Sequence, residues 1–306
     1  PGVALGEFVD IERVEVLRGP QGTLFGRNTS AGALNITTKR PELGEFGGFV
    51  NAGYGAFNEV SLQGAVNVPI TEDTLALRVT GAYRQRDGFI DLVDANGDFV
   101  DDTNDVDQYL IRAQLGFETD SGIRGRLIGD FSNSSSSCCA AIELFQSPLV
   151  TAGAYQAVGL GANGGNGQPT VSTNPFGQAE FREALNDRVA SANFAPQADI
   201  DNYGITGELE FPLSDSADVI FIGSYRNFQN DEFYDSDFTA NDIFNVGLNG
   251  EIETFTAELR IQGEAFGGKL NYMFGGFYAD ETIDSTSTFL LGSDYDANVG
   301  GVFGAA

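Results

Sequence analysis

The side chains able to do chemistry in this chain are mostly carboxylates. There are 44 Asp and Glu against 16 Lys and Arg, no His, and a net charge of −28 over 306 residues. Residues 87–105 carry Asp87, Asp91, Asp94, Asp98, Asp101, Asp102 and Asp105 with no base. Residues 229–250 carry Asp231, Glu232, Asp235, Asp237 and Asp242, again with none. Such stretches suit a hard divalent cation or a cationic ligand; otherwise they are solvated loops whose charges keep them apart. They do not suit nucleic acid, whose phosphates need Lys and Arg.

One acidic set has a regular spacing. Asp94-x-Asn96-x-Asp98 with Asp105 at the twelfth place resembles an EF-hand loop. It departs from the pattern because Phe99 stands where Gly is required, Gly97 comes two places early, and Asp105 replaces the bidentate Glu. Asp94, Asn96, Asp98 and Asp105 are therefore a Ca²⁺ candidate, and no other metal site is expected. Without His, no Ser-His-Asp or Cys-His set can form, so no catalytic site, enzyme activity or cofactor is expected. Gly159-Leu160-Gly161-Ala162-Asn163-Gly164 matches G-x-G-x-x-G, but it runs on into more Gly and Pro169, which reads as a loop tip rather than a dinucleotide turn. Farther on, Asn174-Pro175 opens a short helical pattern through Phe181, Leu185 and Val189. The only cysteines, Cys138 and Cys139, are neighbours. They could stay reduced, form a strained vicinal bridge, or pair with a cysteine outside this chain, the last being favoured.

These groups are carried by strands. From residue 44 onward an alternating pattern recurs nine times. Examples are Leu75, Leu77, Val79, Gly81 and Tyr83 opposite Ala76, Arg78, Thr80, Ala82 and Arg84, and Tyr203, Ile205, Gly207, Leu209 and Phe211 opposite Asn202, Thr206, Glu208 and Glu210. Each segment is long enough for a tilted span of about 9–11 residues. Aromatic residues stand near the apolar ends, as Tyr54, Tyr83, Tyr109, Phe117, Tyr203 and Phe211 do. The connections alternate short (69–73, 119–122, 212–217, 264–268) and long (87–105, 134–200, 229–251, 283 onward), with one short outer exception near Gly55. A soluble sandwich has no reason to sort its loops by parity, whereas an outer-membrane barrel does. No run of 18 apolar residues exists, so no transmembrane helix is expected.

Ahead of the barrel pattern, residues 1–43 carry equal numbers of acids and bases, so the composition shifts near residue 43. Within them lies a strand (Ile11 to Leu17), a turn rich in glycine (Gly19, Pro20, Gly22, Gly26, Gly32) and a second strand (Ala33 to Thr38). The ordered set Arg18-Gly19-Pro20, Phe25-Gly26, Gly32-Ala33-Leu34-Asn35-Ile36 and Thr38-Lys39 resembles the end of the plug domain of TonB-dependent outer-membrane receptors.

The resemblance implies an all-β membrane protein. Residues 1–43 would be the C-terminal part of the plug, and residues 44–306 the N-terminal part of an antiparallel transmembrane β-barrel. Nine strands are too few to enclose a plug, since plugged transporters have about 22. The chain is thus expected to be a fragment without signal peptide, TonB box, early plug or later strands, unable to insert alone because its open edges would face lipid. Arg18 and Arg27 would latch the plug to barrel glutamates, with Glu118, Glu208, Glu210 and Glu258 as candidates here. The implied function is active uptake of a scarce ligand, chiefly a ferric siderophore, across the outer membrane of a Gram-negative bacterium. The implied partners are outer-membrane lipid and the TonB-ExbB-ExbD energising complex, reached through the missing N-terminus. A passive porin-like channel and a β-rich surface binding or adhesion protein are the alternatives; residues 1–43 argue against the porin, and detergent dependence would separate the adhesin.

Overall fold

The structure is a computed structural model that describes residues 8–20, 22, 30–94, 98–138, 140, 188–236, 242–293 and 295. Every element among them is a strand. A hairpin comes first, β1 (Ile11–Arg18) with β2 (Gly32–Thr38), paired antiparallel. Gly19 has φ +82° and Gly32 has φ +147°, and a Cβ on Gly32 would lie 2.5 Å from the Leu17 carbonyl oxygen. These two positions need glycine.

Nine strands then form one antiparallel meander: β3 (Gly47–Tyr54), β4 (Val60–Thr71), β5 (Leu75–Arg86), β8 (Val106–Glu118), β9 (Arg124–Ser136), β11 (Gln197–Ser214), β12 (Ala217–Asp235), β13 (Phe244–Ala265) and β14 (Leu270–Leu291). All nine expected strands are present. A small outer sheet joins β6 (Ile90–Val93) to β7 (Phe99–Thr103) and, in parallel, to β10 (Val189–Ser191). Val189 therefore begins a strand instead of ending a helix. The sequence hides this sheet because strands of three to five residues, set among acids, show no period. It holds its own apolar centre of Ile90, Leu92, Ala190 and Ala192.

The outward face of the meander carries a girdle whose course gives the strand tilt. Tyr83 pairs with Tyr109, Phe131 with Tyr203, and Tyr225 with Phe255, followed by Tyr278 opposite Ala257. Each pair sits two residues lower than the one before, because Ile111 faces Phe131 and Ile205 faces Tyr225. Two residues over two strands is one residue per strand. With a rise of about 3.3 Å and a spacing of about 4.8 Å, that is a tilt of about 35°, as barrels require. Below the girdle the outward side chains are apolar, and above it they turn polar at Asp201, Gln229, Glu251 and Asp284.

The polar extension corrects the expected loop lengths. Strands β12, β13 and β14 run for 19, 22 and 22 residues. The outer connection is 236–243, not 229–251, and Asp231, Glu232 and Asp235 stand on a strand. The apolar alternation ends just above the girdle, but the backbone ladder continues beyond it. Among the described residues no helix is long and apolar enough to cross a membrane. Cys138 is disulfide-bonded within this chain, contrary to the expectation of a partner outside it.

Candidate functional site

The site is the seam where the β1–β2 hairpin lies on the inward face of the meander. Period-2 geometry sends Arg78 and Thr80 of β5, Arg112 and Gln114 of β8, Arg126 of β9 and Glu208 of β11 to that face. Arg78, Thr80 and Gln114 are buried there. A buried guanidinium must find an acid, and the nearest acids in sequence, Glu72 and Asp73, lie in the turn before β5.

Asp10, just before β1, supplies it. Its Oδ2 accepts from Arg78 Nε at 2.7 Å and from Thr80 Oγ1 at 2.8 Å, and its Oδ1 accepts from Arg78 Nη2 at 2.5 Å. The two side chains are 3% and 2% exposed. Asp10 has φ +58°, and its carbonyl accepts from Lys39 N at 2.9 Å. The residue thus ties the start of one hairpin strand to the end of the other and to the wall. Burial pushes the Asp10 carboxyl up, but the hydrogen bonds from Arg78 and Thr80 and the charges of Arg78 and Arg112 outweigh it and leave it lowered.

Further bonds run along the seam. Arg112 Nη1 donates to the Val9 carbonyl at 3.2 Å, and Gln114 Nε2 to the Lys39 carbonyl at 3.0 Å. Asn67, buried on β4, donates to the carbonyls of Glu42 and Glu45 and accepts from Glu42 N. Val9 packs with Ala82 and Leu110. Deeper in, Arg126 grips Glu208 with two bonds, of 2.6 and 3.2 Å, and Arg40 of the hairpin's exit reaches the same carboxylate at 3.1 Å. A cavity of about 570 Å³ remains between hairpin and wall, lined in part by Arg13, Arg40, Arg124, Arg126, Glu208 and Glu210.

The sequence-derived candidates fall as follows. Arg18 ends β1 opposite Gly32. Arg27 and Gly26 lie outside the described residues, as do Asn96 and residues 159–164. Glu208 is reached from the hairpin by Arg40, while Glu210 binds Arg124 and Glu258 binds Arg260. Asp94 accepts from Asp98 N at 2.9 Å, while Asp105 accepts from Ser137 N and Oγ, so these acids serve two different turns. Asp10, Arg78, Thr80, Arg112 and Gln114 were not anticipated. The available signal was a base, Arg78, between Ala76 and Thr80 on the face opposite Leu77 and Val79.

This arrangement, a hairpin clamped to the inside of a tilted meander, covers 92% of the chain in its superposition on the ferric yersiniabactin uptake receptor FyuA of Yersinia pestis, with TM-score 0.71 and 16% identity. The chain has the siderophore-receptor fold. In sequence it is 34% identical over 85 residues to the metal-pseudopaline receptor CntO of Pseudomonas aeruginosa, covering 28% of this chain and 12% of that protein. It is 32% identical over 91 residues to the ferripyoverdine receptor of the same species, covering 29% and 11%. No family model matches. The chain spans 38% of FyuA, so the siderophore-receptor fold is seen here as one side of a barrel with its inner hairpin.

Proposed function

We propose that this chain is the gate-bearing segment of a TonB-dependent receptor, with residues 1–43 as the end of the plug and 44–306 as the start of the barrel. The receptor imports a scarce ligand, a ferric siderophore complex, across the outer membrane of a Gram-negative bacterium. The observation that carries the reading is the hairpin held on the inward face by the buried Asp10–Arg78 pair. A passive channel has no use for such a blockage. The receptors it is similar in sequence to are named for ferripyoverdine and metal-pseudopaline.

In this reading the fold supplies a closed state and the TonB-ExbB-ExbD complex supplies the energy that opens it. Ligand at the outer mouth and pull from below bias a two-state element. Arg18 and Arg27 remain proposed latch residues beside Asp10 and Arg40, and the chain itself performs no catalysis. The test is uptake of iron-loaded siderophores by cells expressing the full-length receptor, with and without an intact TonB gene. Uptake that needs both receptor and TonB supports the proposal. Uptake indifferent to TonB, or ion conductance with the plug in place, overturns it.

A further inference from the structure

Among the described residues, five buried side-chain polar atoms have no hydrogen-bond partner. Two of the five are the Oδ1 atoms of Asn193 and Asn245, and both of these amides point their Nδ2 at one oxygen, Asp242 Oδ1, at 3.2 and 2.7 Å. Asn245 is 7% exposed. Its neighbour across the ladder is Asp235, 4% exposed. The other oxygen, Asp242 Oδ2, accepts from Ser293 N at 2.9 Å. That N–H, the largest cause, lowers the Asp242 pKa against the opposing effect of burial.

An Asn side chain keeps its shape when turned by 180°, and the choice of orientation is made from the hydrogen bonds around it. In this orientation each amide satisfies a donor and strands a buried acceptor. Turning both moves the stranded oxygens to the Nδ2 positions, about 3 Å from Asp242 Oδ1. Three oxygens would then converge, with Asp235 alongside. That grouping is repulsive by itself and favourable around a hard cation, which takes carboxylate and amide oxygens at about 2.3–2.6 Å.

We propose that Asp242, Asn245, Asn193 and Asp235 form a Ca²⁺ site at the outer rim of the barrel. Ca²⁺ fits better than Mg²⁺, because it accepts neutral amide oxygens and irregular geometry, whereas Mg²⁺ holds its waters. The site is separate from the Asp94–Asp105 set. Asn193 comes from the segment entering β11, Asp235 from the end of β12, Asp242 from the β12–β13 connection and Asn245 from the start of β13, and Ser293 beyond β14 closes on Asp242. Bound Ca²⁺ therefore fastens three outer segments together. The segment carrying Asn193 is already seated on β12 by the stacked rings of Phe194 and Phe233, 5.0 Å apart.

The test is calorimetric titration of CaCl₂ into the full-length receptor in detergent, after chelator treatment. A salt concentration of about 0.15 M screens the diffuse charge of the acidic surface. The expected result is a saturable site with Kd of about 10⁻⁴–10⁻³ M, the range of extracellular Ca²⁺ modules. Asp242→Asn removes it. Asn245→Asp adds a carboxylate ligand and tightens Ca²⁺ binding by about tenfold, while lowering the melting temperature in chelator. If Asp242→Asn misfolds, Asn193→Ala, on a separate segment, must weaken binding. Indistinguishable isotherms for wild type and a folded variant would mean diffuse attraction to acids and overturn the site. So would an Asn245→Asp protein that is destabilised equally with and without Ca²⁺, because the amides would then be donors only.

Discussion

Asp10 and Arg78, 68 residues apart, meet in a two-armed ion pair sealed between the inner hairpin and the barrel wall. The acid is on the hairpin and the base on the wall, the reverse of the polarity that the family resemblance implies for Arg18 and Arg27. Removing one partner strands the other in a dry seam. Asp10→Ala is expected to weaken hairpin docking by about 3–5 kcal/mol. Replacing both partners, Asp10→Leu with Arg78→Met, is expected to cost less than either single change, because no charge is left buried. Protease accessibility of the hairpin in the full-length receptor measures both.

The same pair sets an acid limit. The Asp10 carboxyl titrates below its ordinary value of 3.8 when docked, so its contribution to docking is complete above that value. It is lost as the pH falls through the lowered value of the docked state. Hairpin protection is therefore expected to be flat from pH 7 to about 5 and to fall only below the ordinary value. In Asp10→Asn that acid-dependent component is absent. Hydrogen exchange across this range, in both proteins, checks the sign.

Arg126 and Arg40 share Glu208 but not its environment. Arg126 is 8% exposed and makes two bonds to Glu208 and a third, of 3.3 Å, to Gln114 Oε1, whereas Arg40 is 61% exposed and makes one. Arg40→Ala is expected to cost less than about 1 kcal/mol, as exposed pairs do. Arg126→Ala leaves Glu208 and Gln114 Oε1 without their principal donor and is expected to cost about 2–3 kcal/mol. Thermal unfolding of the two variants in the same detergent ranks them.

The parts that were legible in the sequence are those fixed by period 2 alone. Alternation places Arg78 and Thr80 on one face and Leu77 and Val79 on the other whatever their partners, and it located all nine strands. The seam was not legible, because its pairs are long-range. Nothing local links Asp10 to Arg78, or the carbonyls of Val9 and Lys39 to Arg112 and Gln114. The ends of β12 to β14 were also hidden. Above the girdle the pattern is polar on both faces, as at Asp231 and Glu232, so the alternation vanishes although the ladder persists.

Gly32 offers a test of the hairpin that leaves every charge in place. It sits opposite Arg18 at φ +147°, and an added methyl would press on the Leu17 carbonyl at 2.5 Å. Neither a rotamer nor a flexible side chain can relieve that clash, because both obstacles are backbone. Gly32→Ala must therefore rotate the backbone at the turn, which breaks the register between Leu17 and Ala33. The expected cost exceeds the roughly 1 kcal/mol that separates Gly from Ala in regular structure. It should show as faster exchange at the turn end of the hairpin, with protection retained near Asp10. Uniform loss along the hairpin would mean that the turn, and not the Asp10–Arg78 pair, holds it against the wall.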